Sequence, residues 1–135
     1  MDLFGGTGQL GIEALSRGAK TATFVDEGEK PCALMKENLR RTKLEQQGSV
    51  VRSDYLAFLH NCKKRFDIIF LDPPYAEVFL ENALKCITEI DILRSGGIII
   101  CERPLDKELP WQYPGYSRSK DYKYGKTLIT LYRKD

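Results

Sequence analysis

Asp2-Leu3-Phe4-Gly5-Gly6-Thr7-Gly8-Gln9-Leu10-Gly11 is the stretch of this 135-residue chain that decides its fold. Residues 6–11 fit the pattern Gly-x-Gly-x-x-Gly, in which glycines allow a tight turn from strand to helix and a close approach to a ligand. Asp26 follows about 20 residues later, where an acidic side chain can hold ribose hydroxyls. The spacing predicts a nucleotide-type cofactor site, and the alternative is a tight turn beside an exposed acid.

Signals for strands and helices alternate after this loop. Apolar spacing and turn residues predict helices over 9–17, 29–44, 55–62 and 80–87 and strands over 21–25, 49–52, 66–71 and 97–101. Residues 116–122 and 127–132 alternate around Lys123-Tyr124-Gly125-Lys126 and predict a β-hairpin. This order is typical of a mostly parallel α/β sheet with helices on both faces and an antiparallel C-terminal hairpin. We expect one domain over residues 1–135.

The composition is that of a globular protein, with 42% hydrophobic and 30% charged residues. These values exclude a disordered tail, a collagen-like fibre and a disulfide-stapled miniprotein. No apolar run approaches the roughly 20 residues of a membrane helix. No secretory leader opens the sequence, so we expect a cytoplasmic protein.

Charge is unevenly distributed, although the formal net charge is only +2. Residues 30–52 and 103–135 each carry a net charge of +4, and residues 1–29 and 53–102 each carry −3. Two basic segments around an acidic centre could hold a polyanion near a cofactor pocket. Ordinary solvated surface gives the same pattern, and charge alone favours that interpretation.

The cysteines and the histidine do not have the spacing of a metal site. Cys32, Cys62, Cys86 and Cys101 form no Cys-x-x-Cys pair, and His60 is the single histidine. A zinc or iron–sulfur centre is therefore not expected. Thiols in a reducing cytoplasm are the favoured interpretation.

The glycine loop suits two cofactors, NAD and S-adenosylmethionine (SAM), because enzymes that bind them share this topology. SAM has no pyrophosphate, so its site tolerates an acid such as Asp2 at the strand end beside the loop. Asp54 follows the strand predicted at 49–52 and can accept a hydrogen bond from an adenine amino group. A clamp of Asp26 and Asp54 on adenosine fits either cofactor, so the loop does not choose between them.

Asp72-Pro73-Pro74-Tyr75 follows the strand predicted at 66–71 and favours SAM. An exocyclic amine on a nucleobase is a poor nucleophile because its lone pair is delocalised into the ring. A carboxylate and a carbonyl fixed by prolines can accept its two N–H groups and aim the lone pair at a methyl donor. The tyrosine ring can stack on an extruded base. A simple Pro-Pro turn is the alternative, which the position of the motif disfavours.

These motifs together resemble the RsmD family of SAM-dependent methyltransferases. The resemblance lies in DLFGGTGQLGIEALSRGA at residues 2–19, in FLDPPY at residues 70–75 and in Lys123-Tyr124-Gly125 near the closing strand. It implies a Rossmann-like class I methyltransferase fold and methyl transfer to the exocyclic N2 of a guanine in bacterial 16S ribosomal RNA. The implied product is S-adenosylhomocysteine (SAH), and no metal is required. The implied partner is 16S RNA, alone or within an assembling 30S particle.

The resemblance also implies roles for individual residues. The methionine side of SAM would be lined by Asp2, Phe4, Gly6 and Gly8, the ribose bound by Asp26 and the adenine by Asp54. The target base would be held by Asp72, Pro73, Pro74 and Tyr75, with Asp72 and the Pro73 carbonyl on the amino group and Tyr75 stacked on the ring. The family usually has Glu at the ribose position, so the shorter Asp26 differs in reach.

The family further implies a short basic segment and most of a strand before Asp2. The sequence opens directly on Met1 and Asp2. We therefore expect a catalytic core that lacks its N-terminal extension and part of the first strand.

Two other functions remain open from the sequence. DNA adenine-N6 methylation uses the same tetrapeptide logic, but it normally needs a separate target-recognition domain. A truncated module that binds SAM or RNA without turnover is the alternative from another class of protein. The complete motif at residues 72–75 argues against a degenerate site.

Overall fold

The computed structural model describes residues 1–73, 77–110 and 112–135. The chain divides into two compact units, Met1–Phe58 and Leu59–Asp135. The helices are α1 (Gln9–Ser16), α2 (Glu29–Arg41), α3 (Tyr55–His60) and α4 (Glu77–Ile90). The strands are β1 (Ala22–Asp26), β2 (Gly48–Arg52), β3 (Phe66–Leu71), β4 (Leu93–Pro104), β5 (Gln112–Tyr113), β6 (Tyr116–Arg118), β7 (Tyr122–Tyr124) and β8 (Thr127–Lys134).

The first unit is built on two parallel strands. β1 pairs with β2 from Ala22↔Gly48 to Asp26↔Arg52. On the other side of β1, Asp2 forms a parallel bridge with Phe24. The core contains Leu15 of α1, Phe24 of β1 and three residues on one face of α2, namely Cys32, Met35 and Leu39. The helical spacing of these three residues therefore predicted the buried face of α2 correctly.

Gly11 is the closest approach of α1 to the strands, and its replacement by alanine should destabilise the protein. An added Cβ would lie inside the contact distance of the Phe24 ring, 2.7 Å from Cζ, and Phe24 is fully buried. Overpacking of this kind lowers the free energy of unfolding by about 1–3 kcal/mol, which outweighs the helix propensity of alanine. Denaturant unfolding of Gly11→Ala, with the exposed Gln9→Ala as control, measures the effect. Equal or higher stability of Gly11→Ala would contradict this packing.

The second unit starts with a parallel pair and continues with antiparallel strands. β3 and β4 are parallel, with Leu71 opposite Cys101. β8 runs antiparallel to β4, and the strand order is β3-β4-β8-β6-β5, with β7 also paired to β8. The apolar face of α4 is buried through Leu80, Ala83, Leu84 and Ile87, the four positions that the sequence pattern predicted.

The C-terminal hairpin is organised differently from the prediction. The strand predicted over 116–122 is two strands, β6 and β7, interrupted at residues 119–121, and the turn is confined to Gly125 and Lys126. The interruption lets the Asp121 carboxylate accept hydrogen bonds from Arg103, Arg118 and Thr130 at 2.7–2.8 Å. Arg103 is only 2% exposed. A buried guanidinium requires such a partner, and Asp121 in the interrupted segment supplies it.

Candidate functional site

The glycine loop turns from the chain beside β1 into α1 through two left-handed residues. Gly6 has φ 58° and Gly8 has φ 81°, a region that residues with a Cβ rarely adopt. Gly8 precedes α1 as its N-cap, and its N–H donates to the carbonyl of Gly5 at 2.7 Å. A Cβ at Gly6 would meet only one atom, 4.0 Å away. The loop therefore presents bare backbone at Gly6, as a close approach to a ligand requires.

Asp26, at the end of β1, is tied directly to this loop. Its Oδ2 accepts a hydrogen bond from the Gly6 N–H at 3.1 Å, and its Oδ1 accepts one from the Gly28 N–H at 3.0 Å. The side chain is only partly buried. An ionised carboxylate offers about four acceptor positions, so these two bonds leave capacity for a diol. The predicted ribose residue thus also shapes the loop.

Asp54 lies at the same edge of the first unit as Asp26. The register pairs Asp26 with Arg52, and Asp54 follows two residues after the end of the parallel strand β2. Its Oδ2 caps α3 by accepting the Ala57 N–H at 3.0 Å. The residue is exposed, and the cap occupies only Oδ2. The two carboxylates predicted to clamp an adenosine are therefore brought together at one sheet edge.

Asp2 and Phe4 differ in their accessibility. Asp2 is 2% exposed, and its Oδ2 accepts the Gly11 N–H at 3.3 Å. It supports the loop from beneath, and its predicted contact with the methionine part of SAM stays a prediction. Phe4 is partly buried, and its ring packs against Tyr55 with centroids 5.1 Å apart.

Three residues near the loop were not predicted as part of the site. Asn38 donates from Nδ2 to the carbonyl of Thr7 at 2.8 Å. Met35 packs beneath the loop, because its Cγ would be 3.1 Å from a Cβ at Gly8. Tyr55 supports Phe4. Met35 could have been found from its position on the apolar face of α2, whereas no local pattern indicates the Asn38 bond.

The residues of the first unit fit the adenosyl group of SAM. Asp26 supplies acceptors for a diol, Asp54 supplies one for an amine, and the left-handed glycines leave the loop backbone open. The loop ends at the N-terminus of α1, where Asp2 is already buried beside the amide of Gly11. A buried carboxylate at this position suits a cofactor without phosphate groups, because it would repel a pyrophosphate.

Asp72 and Pro73 follow β3 in the second unit. Asp72 is exposed and Pro73 is partly buried. Glu102 of β4 is the neighbour of Asp72 across the sheet, because Leu71 is opposite Cys101 in the parallel register. Although Asp72 as a whole is exposed, desolvation by the surrounding protein raises the pKa of its carboxyl group. Burial raises the pKa of Glu102, and the negative charge of Asp72 raises it further. Pro74 and Tyr75, the other predicted base-binding residues, lie outside the described residues.

Metal-ligating side chains do not cluster in the part of the chain that the structure describes. That part contains no group of three or more His, Cys, Asp or Glu side chains that could hold a metal ion. All four cysteines are free thiols. In the described part of the chain, no helix has the length and apolarity needed to cross a membrane.

Comparison with solved structures shows where this fold occurs. The protein of Streptococcus pyogenes is 30% identical over 99% of this chain and 84% of its own, with a TM-score of 0.93. SMU.776 in complex with SAH is 16% identical, covers 97% of this chain and 44% of its own, and has a TM-score of 0.76. At this low identity, the similarity to SMU.776 shows a shared fold and nothing more. The chain therefore has the Rossmann-like α/β fold of SAM-dependent methyltransferases, with the glycine loop and its carboxylates at the carboxyl ends of the strands.

Sequence comparison identifies the family. The family model described as conserved hypothetical protein 95 matches residues 1–133. YlbH of Bacillus subtilis is 39% identical over 99% of this chain and 74% of its own length. Ribosomal RNA small subunit methyltransferase D of Haemophilus influenzae is 36% identical over 81% of this chain and 58% of its own length. The chain belongs to this family, which confirms the resemblance to RsmD.

Proposed function

We propose that this protein transfers the methyl group of SAM to the exocyclic N2 of a guanine in 16S ribosomal RNA. The relative of H. influenzae is named as a methyltransferase of the small ribosomal subunit RNA, which supports the substrate. The observation that carries the chemistry is Asp72 followed by Pro73 at the carboxyl end of β3. Ligands in open α/β folds bind at this end of the strands.

Asp72 and Pro73 hold the base in this proposal. The Asp72 carboxylate and the Pro73 carbonyl accept the two N–H groups of the guanine amine. These bonds favour a tetrahedral nitrogen, whose lone pair is then free to attack. Asp72 and Pro73 thus assist the reaction by positioning the base and by electrostatic stabilisation. No covalent intermediate with the protein forms.

Asp26 and Asp54 hold the cofactor, with Asp26 on the ribose and Asp54 on the adenine. When bound, SAM supplies an electrophilic methyl group on a sulfonium. The bond from sulfur to the methyl carbon breaks as the bond from N2 to that carbon forms, which leaves the thioether SAH. The methylated nitrogen loses one proton, which Asp72 accepts and passes to solvent. No metal takes part, because the leaving group is already activated.

Transfer of a labelled methyl group tests the reaction. The protein is incubated with labelled SAM and with 16S RNA or 30S particles from a bacterial strain that lacks this activity. Digestion to nucleosides then identifies the product. N2-methylguanosine supports the proposal, whereas N6-methyladenosine or no transfer to either substrate contradicts it. The ratio of methyl transfer to free 16S RNA and to 30S particles shows which form of the substrate this cytoplasmic enzyme uses.

The hairpin of β7 and β8 is the surface that we propose for RNA contact. Tyr122 is 41% and Tyr124 is 66% exposed, and as residues i and i+2 they share one face of the strand. The ammonium group of Lys120 lies 5.4 Å from the centroid of the Tyr122 ring. Lys123 and Lys126 are also exposed. Exposed aromatic rings among lysines are typical of surfaces that stack on unpaired bases.

Replacing Tyr124 with alanine should weaken RNA binding about 5- to 100-fold, the range for loss of one base–aromatic stack. Tyr124→Phe keeps the ring and should bind nearly as wild type. Fluorescence anisotropy with labelled 16S RNA fragments at one fixed salt concentration measures the affinity. SAM affinity should be the same in both variants. Equal RNA affinity of Tyr124→Ala and wild type would remove this surface from the RNA contact.

A further inference from the structure

Two carboxyl groups lie side by side at the carboxyl ends of β3 and β4. In the parallel register, Leu71 is opposite Cys101, and both residues are fully buried. The next residues along the chain are Asp72, directly after β3, and Glu102 of β4, so the register makes them neighbours. Each carboxyl group affects the pKa of the other. Asp72 is the residue proposed to hold the target amine, so Glu102 adds a second carboxyl group to the base side of the site.

This pair has no evident purpose in stabilising the fold. Like charges in contact repel, and two carboxyl groups stay together only by sharing a proton. The neighbouring Arg103 does not neutralise them, because its guanidinium binds Thr130, Asp121 and the carbonyl of Lys107. The pair is therefore a set of strong acceptors beside each other. A ligand with two adjacent N–H donors satisfies them best.

Guanine has this arrangement of donors on its Watson–Crick edge, where N1–H lies beside the 2-amino group. Adenine has an amino group beside the lone pair of N1, which a second carboxylate would repel. We propose that Glu102 accepts the N1–H of the target guanine and thereby selects guanine over purines that lack a hydrogen at N1. When guanine binds, its two N–H donors replace the proton that the carboxyl groups share, and that proton leaves to solvent. This inference rests on the proposed function, because Asp72 must hold the amino group.

The test uses 2-aminopurine, which keeps the 2-amino group but has a lone pair at N1. The methylated guanine is first mapped, and 16S RNA is then assembled by ligation with guanine or 2-aminopurine at that position. The ratio of kcat/KM for the two RNAs is measured for wild type, Glu102→Gln and Glu102→Ala. Glu89→Gln, an exposed change on α4, is the matched control. Calorimetric SAM affinity and denaturant unfolding show whether each variant is folded.

We expect wild type and Glu89→Gln to prefer guanine by about 10- to 100-fold, the range for one discriminating base contact. In Glu102→Gln the preference should fall at least about tenfold, because an amide can donate to the N1 lone pair. A variant that lowers both kcat/KM values equally and keeps the ratio would overturn the inference, since Glu102 would then only support Asp72. Absence of guanine methylation by wild type would overturn the proposed function itself.

Discussion

Replacing Asp72 with alanine should lower methyl transfer by a factor of at least about 100 while SAM affinity stays nearly unchanged. Loss of one preorganised group that stabilises a transition state has an effect of this size. Asp72 lies in the second unit, at the end of β3, whereas the proposed SAM ligands Asp26 and Asp54 lie in the first. Single-turnover transfer of a labelled methyl group to 16S RNA measures the rate, and calorimetry measures SAM binding.

Two further variants make this result specific to Asp72. Asp72→Asn keeps the shape and one acceptor but loses the charge, so its rate should lie between those of wild type and Asp72→Ala. Asp67→Asn removes a carboxylate from β3 that forms an exposed ion pair with Arg94 at 3.1 Å. Exposed ion pairs contribute about 0–1 kcal/mol to the free energy of unfolding. The control should therefore be folded and as active as wild type. Parallel loss of SAM binding in Asp72→Ala would refute its assignment to the base.

Replacing Asp26 with alanine should weaken SAM binding by about 10- to 100-fold, because hydrogen bonds to a charged group contribute about 1.5–3 kcal/mol. The variant loses the proposed bonds to ribose together with those to the amides of Gly6 and Gly28. The loop then loses both its ligand contact and its internal support. Calorimetric titration with SAM and with SAH measures the change.

Two controls separate these contributions. Asp26→Asn keeps an acceptor for one amide, so the loop should be less disturbed than in the alanine variant while the contact with the diol is weakened. Glu27→Gln removes the adjacent, exposed carboxylate and should bind SAM as wild type does. Unchanged affinity in Asp26→Ala would exclude this residue from the cofactor site.

Much of the fold was predictable because most elements carry local signals. The bounds of β3 were predicted without error, and those of α1, β1 and β2 within one residue. The methyltransferase fold and the RsmD family are likewise confirmed. β4 extends from Leu93 to Pro104, well beyond the predicted 97–101. Leu93 pairs with Phe66 of β3, and β8 pairs with β4 as far as Pro104↔Thr127. Pairing with a distant strand has no signal in the strand's own sequence.

The candidate site was predictable to a similar extent. Asp26 and Asp54 are brought to one edge of the first unit, as their positions after parallel strands suggested. Their assignment to SAM, like that of Asp2, Phe4, Gly6 and Gly8, stays a prediction. The Asp26 bond to Gly6 was not foreseen, because it joins residues 20 positions apart in the chain.

Local patterns determined the chemistry proposed for this protein, because the glycine loop and the residues at 72–75 each lie within a few positions of one another. Only the tertiary structure decided which distant groups share an environment. It places Glu102 beside Asp72 and Asp121 against the buried Arg103. Strand register and burial create both pairs, and these depend on contacts across the whole unit rather than on any short stretch of sequence.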